Sequence, residues 1–102
     1  MAKFVVVYKG GQMGATPEEQ EAVMQEWGAF FGALGSSVTD MGNPFGGSAQ
    51  LASNGSRAEA TTGLSGYSTI EASDLDAALQ AVKGCPVFKS GGSLELFEAI
   101  PM

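Results

Sequence analysis

The apolar positions change their period along the chain. Phe4-Val5-Val6-Val7-Tyr8 is an unbroken β-branched and aromatic run, bracketed by Lys3 and Lys9 and closed by Gly10-Gly11, which predicts a strand. The run does not alternate with polar residues, so both of its faces are expected to be buried. Val23, Trp27, Phe30, Phe31 and Leu34 then recur at the three- and four-residue spacing of a single helical stripe. The start of that helix is written out: Thr16 as the cap, Pro17 at the first helical position and Glu19 three residues after the cap. Glu18 and Glu21 add negative charge where the helix dipole favours it, and Gly35 supplies a left-handed stop. Residues 36–40 are long enough for a short second strand, broken by Gly42-Asn43-Pro44.

Periodicity fades between residues 45 and 65, where Gly, Ser and Ala dominate. Gln50-Leu51-Ala52 and Arg57-Ala58-Glu59-Ala60 flank Ser53-Asn54-Gly55-Ser56, and Asn-Gly is a strong short-range hairpin signal. The flanks offer little to bury, so this segment is expected to be a small, mobile hairpin or a long loop. Residues 66–71 resume as a strand through Tyr67, Thr69 and Ile70. Ser73 is the expected cap of a second helix, with Leu75, Ala78, Leu79 and Val82 as its stripe. Lys83 complements the C-terminal end of that helix, Gly84 stops it and Pro86 forbids its continuation. Residues 93–100 read as the last strand, with Leu94 and Leu96 on one face and Glu95 and Phe97 on the other.

Strand, helix, strand, hairpin, strand, helix, strand is the order of two β-α-β halves. It predicts an α+β fold, a ferredoxin-like antiparallel sheet with two helices on one face. The helices cannot cover the other face, yet the first strand is apolar on both. The sheet of a second copy is the economical cover, so a homodimer is expected.

Composition narrows the class further. At 102 residues the chain is one domain spanning 1–102. Fifteen glycines with no repeating period are assigned to turns. A net charge of -6 argues against nucleic acid as a partner, because phosphate binding needs a clustered basic surface. The longest apolar run is too short to span a bilayer, and no signal-peptide pattern opens the chain, so no membrane association is expected. One cysteine excludes an internal disulfide and fits a cytoplasmic location.

The order of several pieces resembles the YCII-related family, also called the DGPF-domain family. Those pieces are the opening strand ending in Tyr8, the Pro17-Glu18-Glu19 helix start, and Trp27 with Phe30-Phe31. They continue through Asp40-Met41-Gly42-Asn43-Pro44, Gly66-Tyr67, Ser73-Asp74-Leu75-Asp76-Ala77-Ala78-Leu79, Gly84-Cys85-Pro86 and Gly91-Gly92-Ser93-Leu94-Glu95-Leu96. The resemblance covers nearly the whole chain. It implies a dimeric α+β barrel, in which two ferredoxin-like sheets pack face to face. It implies no particular reaction. The histidine and aspartate suspected of acid–base work in some relatives are not carried over, since this chain has no histidine. No Asp-Gly-Pro-Phe run is present either; the nearest string is Gly42-Asn43-Pro44-Phe45.

Without histidine, proton transfer near pH 7 needs a carboxylate raised by burial, or a tyrosine or lysine lowered by it. Asp40 is the catalytic candidate, placed at a strand end beside a turn that would open a pocket; its structural alternative is a turn-former bonding backbone N–H groups. Tyr8, Asn43, Tyr67 and Glu95 are the candidate ligand-binding residues, the tyrosines having the alternative of a rim-facing core position. Glu71 reads as an exposed strand-edge carboxylate and Trp27 as core. Cys85 follows a helix C-terminus, which disfavours a thiolate. No metal or cofactor is expected, because one cysteine and scattered carboxylates do not form an N/S site. Lys9, Arg57 and Lys89 are available cations that nothing in the sequence brings together. The leading expectation is a non-catalytic dimeric interaction or regulatory module. The alternative is a small-molecule-binding or enzyme-like barrel with a pocket between sheet and helices near Asp40 and Tyr67.

Overall fold

The computed structural model describes residues 1–11 and 14–102. In chain order its elements are β1 (Ala2–Lys9), α1 (Pro17–Leu34), β2 (Val38–Asp40), β3 (Gln50–Leu51), β4 (Arg57–Ala58), β5 (Leu64–Ala72), α2 (Leu75–Ala81) and β6 (Ser93–Ala99). Short 3-10 turns occupy Gly35–Ser37 and Pro86–Ser90. The fold is α+β, with a four-stranded sheet in the order β2-β5-β1-β6 and antiparallel pairing throughout. That arrangement is consistent with the ferredoxin-like class. No helix among the described residues is long and apolar enough to cross a membrane.

The start of α1 follows its sequence. Thr16 Oγ1 accepts the Glu19 amide at 3.1 Å, and Glu19 Oε2 reaches back to accept the Ala15 amide at 2.7 Å. Two amides that the helix cannot satisfy internally are thereby bonded, and losing such a cap costs about 1 kcal/mol. The start of α2 departs from expectation. Asp74, not Ser73, is its cap, with Oδ1 accepting the Ala77 amide at 2.8 Å. A carboxylate both accepts that bond and meets the positive end of the helix dipole, so it outcompetes the neighbouring hydroxyl. The helix also ends earlier than Gly84, at Ala81 with Val82 as its C-cap. Its stripe is split: Ala78 and Val82 are buried, while Leu75 and Leu79 stay 47% and 43% exposed.

One face of the sheet carries the core. Phe4, Val6 and Tyr8 of β1 and Ile70 and Ala72 of β5 cluster with Phe30 of α1, Ala78 of α2, and Val82, Cys85 and Val87 beyond it. Both helices therefore cover this inner face. Val5 and Val7 point the other way. Val5 pairs with Thr69 and Phe97, and Val7 with Tyr67 and Glu95. The first strand's two apolar faces thus fare differently within one chain, the inner sealed and the outer half-covered.

The segment between β2 and β5 holds the hairpin that Asn54-Gly55 signals. Gln50 pairs with Ala58 and Leu51 with Arg57. The turn is closed by Gly55 N–H to the Ala52 carbonyl at 2.9 Å and by Ala52 N–H to the Ser56 carbonyl at 2.8 Å. Gly55 has φ +89°, and no described non-glycine residue has a positive φ. The loop is therefore a turn followed by one left-handed glycine, not the mirror-image turn in which Asn54 would also be left-handed. Residues 43–63 are all exposed. Residues 43–45 lie along β5 and the hairpin forms an arm beyond them; the radius of gyration is 15.1 Å, against about 13 Å for a compact domain of this length.

Candidate functional site

Of its long apolar stripe α1 buries only Phe30. Val23, Trp27 and Phe31 of the stripe face a cavity of about 720 Å³ between the helix and the sheet, a volume within the usual range for small-molecule sites, while Leu34 packs against the core. Tyr8 of β1 and Gly66 and Ser68 of β5 line the sheet side. Val23, Met24, Trp27 and Phe31 form the helix side, and Pro86 and Val87 close one end. Gly28 also borders the space, and its missing side chain leaves room there, since a Cβ on it would meet nothing within 4 Å. The aromatic wall is continuous: Trp27 meets Tyr8 edge-on at 5.0 Å and Phe31 at 5.8 Å between ring centroids.

The polar centre of the cavity is a short hydrogen-bond chain. Tyr8 Oη donates to Ser68 Oγ at 2.9 Å, and Ser68 Oγ donates to the Met41 carbonyl at 2.7 Å. Ser68 has no exposed surface, so a hydroxyl buried among apolar groups is fully bonded, as its burial requires. Burial pushes the Tyr8 hydroxyl up to about 12, outweighing the opposing effect of its bond to Ser68. It therefore remains a protonated phenol at any physiological pH. At the rim, Lys89 Nζ lies 3.4 Å from Glu26 Oε1, with both side chains well exposed; such a pair contributes little to stability.

The Met41 carbonyl reaches Ser68 because residues 40–44 lie directly on β5. Asp40 Oδ1 accepts the Gly42 amide at 2.8 Å, and the Asn43 carbonyl accepts the Tyr67 amide at 3.3 Å. Gly42 has φ +75°, and a Cβ there would fall on the Tyr67 carbonyl oxygen. Only glycine permits both the backbone angle and the close approach.

The candidate residues from the sequence separate into two groups. Tyr8, Asn43 and Tyr67 border the cavity. Tyr67 does so from a strand position opposite Val7, so its ring lies on the outer face, where it stacks on Phe45 at 5.8 Å. Asp40 does not border the cavity. A register shift between Val38 and Asp40 sets Asp40 opposite Thr69, and Thr39 Oγ1 also bonds Thr69 Oγ1 at 2.7 Å. The bulge cancels the alternation that would have turned Asp40 inward. It is exposed, holds the Gly42 turn, and meets the Tyr67 hydroxyl only at 3.5 Å, which matches the turn-forming account. Glu95 is exposed on the outer face opposite Val7, and Glu71 is exposed opposite Lys3. Cys85 is 2% exposed, and burial pushes its thiol up to about 11, so it is an inert core residue. Of the three cations, Lys89 stands at the rim, whereas Arg57 is on the arm.

Sequence reasoning missed Ser68 and the Pro86–Val87 wall. Ser68 was recoverable, because strand alternation places it on the same face as Ile70. The 3-10 turn after Cys85 had no comparable signal. No family model, curated protein or solved structure matches the chain.

Proposed function

We propose that this protein binds a small molecule in the cavity between α1 and the sheet, and that it does so without acid–base catalysis. The observation that carries the reading is a space of about 720 Å³ walled by Trp27, Phe31 and Met24, with the hydrogen-bonded Tyr8 and Ser68 hydroxyls on its sheet side. Apolar walls with a few convergent polar groups are the usual composition of a ligand site. The chain has no histidine, and its Tyr8 and Cys85 hold their protons far above neutral pH, which supports retention of a ligand over turnover.

The outer face supports the dimeric half of the reading. Val5, Val7 and Phe97 form an apolar centre, ringed by Lys3, Glu71, Lys9 and Glu95, and an apolar centre with a polar rim is the anatomy of a protein interface. A second copy packed there, sheet to sheet, makes the dimeric α+β barrel that resemblance to the YCII-related family implies. A ligand-responsive regulatory dimer unites both readings.

Trp27 is the only tryptophan in the chain and borders the cavity, so its emission reports occupancy. Titration with naphthalene is expected to change that emission saturably, and Gly28→Leu, which places a side chain at the border of the cavity, is expected to weaken the binding. A linear, unsaturable response in the unaltered protein overturns the reading.

A further inference from the structure

The direction of the hydrogen bonds at Tyr8 specifies the ligand more closely. A carbonyl oxygen only accepts, so the single Ser68 proton goes to Met41 O at 2.7 Å. Ser68 Oγ is then an acceptor toward Tyr8, and the single Tyr8 proton is committed to it at 2.9 Å. What Tyr8 Oη has left is acceptor capacity, and among the described residues no donor is bonded to it. Ser68 is completely enclosed, so its oxygen has these two partners, Tyr8 and Met41. The charges at the cavity are Glu26 and Lys89, and they pair with each other at the rim. A charged ligand would therefore enter an apolar space with no counter-charge waiting for it, at a large desolvation cost.

We propose that the ligand is a neutral, ring-containing molecule that brings a hydroxyl or N–H donor to the Tyr8 oxygen. The proposal rests on the small-molecule reading of the cavity and adds its polarity. Trp27 and Phe31 supply the faces against which a ring packs. Tyr8 Oη receives the ligand's proton donor, and Asn43 at the mouth, with a donor and an acceptor of its own, does not discriminate. Because Tyr8 ionises only near 12, the chain keeps this direction across the physiological pH range.

Two probes that share the naphthalene ring separate the outcomes: 2-naphthol, which donates, and 2-methoxynaphthalene, which only accepts and is one methyl group larger. Equilibrium dialysis at pH 7 is expected to show 2-naphthol held roughly threefold to tenfold more tightly, the range for one net hydrogen bond. Tyr8→Phe keeps the ring beside Trp27 and is expected to weaken 2-naphthol alone, bringing the two probes level. Ser68→Ala releases the Tyr8 proton and is expected to tighten 2-methoxynaphthalene. Equal affinities in the unaltered protein, or a preference that survives Tyr8→Phe in a cooperatively folded variant, overturn the donor proposal while leaving the cavity a binding site. Failure of both probes to bind overturns the cavity reading and the donor proposal together.

Discussion

The inner and outer faces of the sheet are built from the same strand and the same kind of residue, yet they have opposite fates. Phe4 and Val6 on the inner face are completely enclosed, whereas Val5 and Val7, alternating with them, are only half-covered and Phe97 beside them is 54% exposed. The inner face meets two helices, a 3-10 turn and a cavity. Among the described residues, the outer face meets its own cross-strand neighbours and Phe45. A valine in a strand therefore records that a surface seeks cover, not where the cover comes from. Within one chain the helices supply it on one side. The other side is the one on which we propose that a second copy packs.

The largest expected effect separates the faces by stability. Phe4→Ala should cost about 3–5 kcal/mol, while Val5→Ala should cost much less in the isolated chain, as read by urea unfolding at low protein concentration. Equal costs would remove the distinction. Val7→Arg addresses the outer face alone. The unaltered protein should scatter light as a dimer at micromolar concentration, burying at least ~1,000 Å² in total. The variant should be a monomer that still binds naphthalene. A dimer that survives Val7→Arg would place the interface elsewhere.

An alkaline titration sharpens the same contrast, because Tyr8 and Cys85 both belong to the inner core. Each holds its proton more tightly when folded, Tyr8 at about 12 against 10.0 and Cys85 at about 11 against 9.0. The folded state thus binds more protons than the unfolded one above the unfolded values. The resulting stabilisation is fully present below about pH 9 and is lost as pH rises through 11 and 12. The urea midpoint should accordingly fall over that window, and Tyr8→Phe should remove the upper part of the fall. The smallest effect is expected at Asp40→Asn. An amide oxygen can still accept the Gly42 amide, so stability should move by no more than about 0.5 kcal/mol and naphthalene affinity should not change. Lost affinity would return Asp40 to the site.

The contrast also explains what was legible beforehand. Both helices, all four sheet strands and the hairpin have local signatures: a capping box at Thr16–Glu19, a helical stripe from Val23 to Leu34, strand residues around Phe4 and Ile70, and Asn54-Gly55 between paired flanks. These depend on neighbours within a few positions, and period alone carries them. Tyr8 was reachable as a cavity residue by the same logic, whereas Tyr67 borders the cavity although alternation sets its ring on the outer face. The Ser73 cap was mistaken because two adjacent residues qualified and only backbone geometry chose between them.

What tertiary structure alone decided is everything that depends on how far one element stands from another. The stripe on α1 promises a buried face, but only packing shows that Phe30 is sealed while Trp27 and Phe31 wall an open space. The bulge at Thr39 turns Asp40 away from that space, and neither residue type announces a bulge. The Tyr8–Ser68–Met41 chain joins residues 60 and 27 positions apart, a closeness that no local pattern encodes. Hydrophobic periodicity names the surface to be covered, whereas long-range contacts select what covers it and what space is left between.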